Sequence, residues 1–367
     1  MTKSSLMPKA RSSVMTIDPY VGGDVTPKGM VRRIVLASNE SPLGPSPLVL
    51  EFFRNFNLNL SSYPNGGASR LREAIASVHQ RSMDHLICGN GSEDIIHLIC
   101  RAYAGEGDEI LMPQYGFLVY SIAAKTNGAS PVFFPQPHLY SEVDRLLEHV
   151  TAKTKIVCLD NPGNPLGCML TRNDLLTLHQ NLPPHVLLVL DEAYAEYVEH
   201  TDYESGLTLF KDAKNVITLR TFSKAYGLAG MRIGWAHGAP EVLDALHRIR
   251  QPFNVNSIGQ HSATIAVHDQ GWIKKAFEHN LAHRSWTKEK LEELGFRVNP
   301  SQGNFLLFDC ETPERAKDIY HYLGTRGVMI RPVSGYNLHH HMRVSIGRDF
   351  EMAEFIDLMK AFVAEKK

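Results

Sequence analysis

The feature that most limits what this chain can become is a recurring succession. Short apolar runs that do not alternate are each followed by a turn and then by helical spacing. Glu109–Met112, Ile156–Leu159, Val186–Leu190 and Val216–Leu219 are four such runs, each bounded by turn or polar residues. A strand with one wet face alternates apolar and polar side chains, whereas a short run that stays apolar suits a strand buried on both faces. Between the runs lie helical patterns, such as Ile95, Leu98, Ile99 and Ala102 at i, i+3, i+4 and i+7. The succession predicts an α/β fold, a parallel sheet with helices on both faces.

After about residue 256 the texture changes. A long helical stretch through Ala282, Trp286 and Leu291 precedes strand-like segments at Phe305–Phe308, Val328–Ile330 and Met342–Ile346. A closing helix is expected over Phe350–Val363. At 367 residues the chain has room for about two domains of ~150 residues. We therefore expect an N-terminal arm over 1–37, a large domain over 38–255, and an interdomain helix with a small α+β domain over 256–367.

Charge and composition remove several function classes. With 38 basic and 39 acidic residues the net charge is −1, which gives no electrostatic footprint for nucleic acid or an anionic membrane. No apolar run approaches the roughly 18 residues that a membrane span needs. Cys88, Cys100, Cys158, Cys168 and Cys310 show no C-x-x-C spacing and mostly sit in apolar segments. They read as small buried hydrophobes in a reducing, cytoplasmic setting. Met1–Met15 is Ser-rich and mildly basic but lacks the apolar stretch of a secretory signal, so it is taken as a flexible arm.

In open α/β sheets, ligands bind beyond the carboxyl ends of the strands. Those ends deliver Pro113, Gln114 and Tyr115; Asp160, Asn161 and the turn to Asn164; Asp191, Glu192 and Tyr194; and Arg220, Thr221, Ser223 and Lys224. A strand ending in Asp is ordinarily just a cap on the next helix. Together, though, these ends place a lysine, a carboxylate, a tyrosine and an amide on one rim. Lys224 lies in Thr221-Phe222-Ser223-Lys224-Ala225-Tyr226-Gly227-Leu228-Ala229-Gly230, with Arg232 just beyond. A lone lysine is usually a solvated charge. Here small residues allow close backbone approach, and two hydroxyls with an arginine suit a phosphate. A lysine beside a bound phosphate and a carboxylate has the makings of a Schiff-base lysine. A second anion element, Gly89-Asn90-Gly91-Ser92-Glu93, opens the helical pattern that carries Ile95. By itself this is an ordinary Ser cap. The chain there lacks G-x-G-x-x-G, so one phosphate fits better than a dinucleotide.

These residues carry a family resemblance. The Thr221–Gly230 run resembles the lysine signature of class II pyridoxal-phosphate aminotransferases, which have the aspartate aminotransferase fold. Five further segments resemble histidinol-phosphate aminotransferases in particular: Asn39–Pro47, Tyr63-Pro64, the Asn161–Gly167 turn, Asp191-Glu192-Ala193-Tyr194, and Arg331 with Arg343-Val344. The resemblance runs in order from about Tyr20 to the C-terminus. It implies a large domain with a mostly parallel seven-stranded sheet between helices, and pyridoxal 5′-phosphate as cofactor. Lys224 would link to the coenzyme and shuttle a proton, Asp191 would pair with the pyridine nitrogen, and Tyr194 and Asn164 would bond the phenolic oxygen. Tyr115 would stack on the ring, and Thr221, Ser223, Arg232 and the backbone at Ser92 and Glu93 would hold the phosphate. Arg343 would grip the substrate carboxylate, and Arg331 with Tyr20 a second acidic group. Tyr63 would reach across a homodimer to the partner's phosphate, with Phe253 and Asn256 nearby.

The departures are modest. Leu166 stands where the usual turn has Thr, after Gly163, and Glu93 stands where some relatives have Asp. The triplet His339-His340-His341 has no flanking Cys or carboxylate, and consecutive histidines cannot all face one ion, so no metal site is read there. The implied reaction interconverts L-histidinol phosphate and 2-oxoglutarate with imidazole acetol phosphate and glutamate, in histidine biosynthesis. An aromatic amino acid aminotransferase and, more remotely, a phosphoamino-acid decarboxylase share the scaffold. A coenzyme-sensing transcription regulator would need a helix-turn-helix domain ahead of Val31, for which about 30 residues leave too little chain.

Overall fold

The computed structural model describes residues 8–18 and 33–365, and these form two sheets. Twelve strands occur along the described chain: β1 Ile34–Leu36, β2 Leu86–Gly89, β3 Glu109–Pro113, β4 Ser130–Phe134, β5 Thr154–Asp160, β6 Leu187–Asp191, β7 Val216–Thr221, β8 Gly234–Gly238, β9 Arg297–Val298, β10 Phe305–Asp309, β11 Val328–Pro332 and β12 His341–Ser345. The larger sheet has seven strands in the order β2-β8-β7-β6-β5-β3-β4. Only β8 runs against its neighbours; the other strands share one direction.

Burial explains why the central runs do not alternate. Ile156, Cys158, Leu187, Val189, Ile217 and Leu219 pack into one apolar cluster. Their chain neighbours Val157, Leu159, Leu188, Leu190 and Val216 pack into another. Successive side chains point to opposite faces of a strand, so each face of the sheet has its own helix-covered core. Helices Ser92–Tyr103, Val119–Asn127 and Pro240–Ile249 supply residues to the first cluster, and Arg172–Asn181 to the second.

The smaller sheet has the order β1-β11-β12-β10-β9. Its edge strand β1 comes from the opposite end of the sequence and lies parallel to β11, with Ile34 opposite Val328. The chain therefore enters through the C-terminal sheet before it crosses to the larger one. The helix Asp349–Glu365 buries Met352, Phe355, Ile356, Met359 and Phe362 in the core of this second sheet. The helix Gln270–Glu293 runs between the two, burying Ala276 in the core that holds Tyr194 and Leu291 in the core that holds Phe308.

Candidate active site

A cleft open to solvent lies at the carboxyl ends of β5, β6 and β7 and is bounded on its other side by β11 and β12. The loop between β7 and β8 provides its floor. Because β8 returns antiparallel beside β7, Thr221 lies opposite Gly234 and the twelve residues between them form one closed loop. Lys224 projects from that loop, and its Nζ donates to the Ser38 carbonyl at 2.9 Å. Burial, with the charges of Arg343 and Arg232, pulls the amine down to about 8.

The start of β8 abuts the N-terminus of helix Ser92–Tyr103. A Cβ on Gly234 would sit 2.2 Å from the Ser92 nitrogen, so only glycine allows this approach. Gly91 needs glycine for a different reason, its φ of +92, a backbone conformation that L side chains rarely adopt. Arg232, Ser223, Thr221, Ser92 and Glu93 thereby come to one end of the cleft. Arg232 Nη1 lies 3.5 Å from Ser223 Oγ. Helix-start N–H groups, two hydroxyls and a guanidinium make a donor set for a single phosphate.

Asp191 ends β6 and is 4% exposed. Tyr120 O–H and Ala193 N–H donate to its two oxygens at 3.2 Å each, and burial pushes its carboxyl up to about 6. Glu192, the next residue, points to the other face, where Arg220 pairs with it and with Glu196. Directly across from Asp191 on β5 is Asp160, which accepts the Asn164 N–H at 2.6 Å. Asn164 in turn accepts from Arg343 Nη1, and Arg343 Nη2 donates to the Ala37 carbonyl at 2.8 Å. The Tyr194 hydroxyl, pushed up to about 12 by burial, accepts at its Oη from Asn39 Nδ2 at 3.0 Å.

Of the residues expected from sequence, Ser92, Glu93, Asn164, Asp191, Tyr194, Thr221, Ser223, Lys224, Arg232, Arg331 and Arg343 all line this one cleft. Tyr115 does not. It lines a small adjoining space with Gln136 and Asp160, its N–H bound to Gln136 Oε1, and Phe117 stands on the cleft wall instead. Tyr63 lies apart, 81% exposed and stacked on Phe253 at 4.6 Å. Tyr20 lies outside the described residues. Leu166, the odd residue of the turn, is buried against Leu307, Val333 and Tyr336 of the smaller sheet's side, which accounts for an apolar residue there. His341, the last of the histidine triplet, is buried in β12 opposite Asp309, so strand pairing supplies a carboxylate that the linear sequence hides.

Asp160, Tyr120 and Asn39 are the structural partners that sequence reasoning left without a role. Tyr120 sits in a helical apolar pattern and looks like any core aromatic. Burial lifts Asp160 to about 7, next to Asp191. A carboxyl whose folded pKa is raised stabilises the fold below its unfolded pKa, and that contribution is lost as pH rises through about 7. In the coenzyme-free protein, Asp160→Asn should therefore raise the melting temperature by several degrees at pH 8 and by less at pH 5. Calorimetry at the two pH values checks this, and an equal shift at both would contradict it.

A donor set for one phosphate, a neutralisable lysine and a buried carboxylate around one cleft fit pyridoxal 5′-phosphate, and they define a coenzyme-dependent transferase site of the fold type I class. The sequence matches the family described as "Aminotransferase class I and II" over residues 31–358, and the chain belongs to that family. It is 43% identical to a histidinol-phosphate aminotransferase of Rhodospirillum centenum over 96% of this chain and 98% of that one. It is 41% identical to the enzyme of the same name from Rhodospirillum rubrum, over 99% of both chains. Its fold superposes with a TM-score of 0.92 on the crystal structure of histidinol-phosphate aminotransferase from Sinorhizobium meliloti in complex with pyridoxal-5′-phosphate, at 27% identity, covering 99% of this chain and 100% of that one. The cofactor of this chain is accordingly pyridoxal 5′-phosphate.

Proposed function

We propose that this chain is a homodimeric histidinol-phosphate aminotransferase, moving an amino group between L-histidinol phosphate and 2-oxoglutarate in histidine biosynthesis. The observation that carries the reading is end-to-end kinship, above 40% identity, with enzymes of that name. The cleft supports it. Arg331 and Arg343 are directly opposite on antiparallel β11 and β12, and both line the cleft. Two adjacent guanidinium groups suit substrates that bring an anion: a phosphate in one half-reaction and carboxylates in the other.

When bound, the coenzyme supplies an electron sink for negative charge at the substrate Cα. The chain supplies the rest. Lys224 Nζ holds the coenzyme and then moves the proton at Cα. Asp191 keeps a proton on the pyridine nitrogen, while Asn164 and Tyr194 orient the phenolic oxygen. Thr221, Ser223, Arg232 and the N–H groups of Ser92 and Glu93 hold the phosphate. Arg343, and Arg331 with Tyr20, take the substrate's acidic groups.

The test is a donor panel of histidinol phosphate, phenylalanine, tyrosine and histidine with 2-oxoglutarate. A charge-assisted hydrogen bond to phosphate is worth about 1.5–3 kcal/mol, so kcat/KM should favour histidinol phosphate by about tenfold or more. Equal or better use of phenylalanine would make the chain an aromatic aminotransferase. Release of carbon dioxide without glutamate would make it a decarboxylase.

The homodimer reading is supported by Tyr63. It, Leu60 and Phe253 are exposed apolar groups lining an open trough with Asn256, whose Nδ2 donates to the Met231 carbonyl beside Arg232. A partner covering the trough would set Tyr63 against the neighbouring phosphate cup. Mixing Tyr63→Phe with Lys224→Ala subunits should then yield hybrids with one intact site, and activity above the sum of the two parents. Activity equal to that sum, with hybrids shown to form, would place Tyr63 in its own subunit's site. Within each subunit we propose the division 38–255 and 256–367, with the arm on the smaller part. A cytoplasmic, reducing location is supported by five free cysteines, four of them buried. Among the described residues, no helix is long and apolar enough to cross a membrane.

A further inference from the structure

Away from the cleft, the helix Gln270–Glu293 and the start of the helix Asp349–Glu365 bring together His279, His283 and Asp349. The two histidines are four apart and share one helix face, with ring centroids 4.3 Å apart. Asp349 Oδ1 lies 3.0 Å from His283 Nε2 and 3.9 Å from His279 Nδ1. His279 Nε2 lies 2.9 Å from the Gly347 carbonyl. A carbonyl only accepts, so Nε2 carries a proton, and in the neutral ring Nδ1 then presents a lone pair toward Asp349. That leaves two acceptors, Nδ1 and the carboxylate, facing one another. Metal-binding histidines are oriented in this way, with the remote N–H given to a backbone carbonyl. Burial and the neighbouring His279 lower the His283 pKa; the ring gives its Nε2–H to Asp349 Oδ1, and a cation would take the place of that proton, which passes to solvent or to Nδ1.

We propose that His279 Nδ1, His283 Nε2 and Asp349 Oδ1 form a binding site for a first-row divalent transition cation, completed by water. Bonds of about 2.0–2.2 Å in a tetrahedral shell separate ligand atoms by roughly 3.3–3.5 Å. The observed 3.0 and 3.9 Å bracket that spacing. Two imidazoles in a set of three favour zinc, cobalt or nickel over magnesium or calcium. The histidine side chains are 15% and 22% exposed and that of Asp349 is 83% exposed, so the rings are held while the remaining position faces solvent. The cation joins the long helix to the turn after β12, the strand that carries Arg343. Arg348 in that turn also donates to the Pro42 carbonyl, close in sequence to the Ser38–Glu40 wall of the cleft. The site thus fastens the exit of β12. A second grouping of this kind among the described residues, Asp309 with His340 and His341, has a guanidinium already on its carboxylate, because Arg297 pairs with Asp309.

The test is calorimetric titration of the tag-free holoenzyme with zinc chloride, backed by equilibrium dialysis. One saturable equivalent is expected, with none for magnesium chloride. His283→Ala and Asp349→Asn should each weaken zinc binding by about tenfold or more, since even the supporting partners of a metal ligand contribute on that scale. His340→Ala should leave it unchanged. Zinc should raise the melting temperature of the native enzyme and of His340→Ala but not of His283→Ala. Undiminished transamination without metal shows that the variants are folded, and His283→Gln, which retains bulk, repeats the measurement. The proposal is overturned by no saturable equivalent, by an equivalent that survives in both His283→Ala and Asp349→Asn, or by one lost in His340→Ala.

Discussion

Lys224→Ala is expected to abolish transamination to the limit of detection and to remove the visible absorbance of the coenzyme-loaded protein. Among the residues that line the cleft, Lys224 is the one lysine. An ordinary lysine, with a pKa of about 10.4, is less than about one part in a thousand neutral at pH 7. Drawn down to about 8 by burial and by two arginines, Lys224 offers about a tenth of its amine neutral at that pH. Its Nζ is already fixed in the cleft by the Ser38 carbonyl. No neighbouring side chain combines that position with a titratable amine. Absorbance spectra and turnover of the purified variant check the expectation, and near-normal turnover would remove Lys224 from the reaction.

Asp191→Asn is expected to retain coenzyme yet slow the chemistry by about 10²–10³-fold, the scale on which losing one preorganised electrostatic partner is felt in a buried site. The amide oxygen can still accept from Tyr120 or Ala193, so the local structure survives. What it loses is the negative charge that would hold a proton on the pyridine nitrogen. Burial makes that charge matter more, because little water screens it. Single-turnover kinetics at saturating coenzyme is the measurement. An unchanged rate would deny Asp191 its role.

The sequence was most readable where a residue's surroundings are set by its own strand. The four unalternating runs became β3, β5, β6 and β7, and their ends carry Asp160, Asp191 and Thr221 to the cleft. Less legible were β8, whose Gly234-Trp235-Ala236-His237-Gly238 has few large apolar residues, and β4, an edge strand containing Pro131. Both owe their place to neighbours already in the sheet. In the cleft, the residue types were visible but some of the contacts were not. Asp160 opposite Asp191, Asn39 on Tyr194 and Arg343 on Asn164 are long-range pairings that follow from register and from the crossing of residues 37–40. Tyr115 and Phe117 show the same limit: both lie on the turn after β3, and it is the folded structure that sets Phe117 on the cleft and Tyr115 beside Gln136.

The most direct test of the account is to reduce the coenzyme-loaded enzyme with borohydride, digest it and map the modified peptide by mass spectrometry. The coenzyme's mass is expected on the peptide containing Lys224 alone, at about one equivalent per chain. Modification of any other lysine in place of Lys224, or none at all in enzyme that still transaminates, would contradict it.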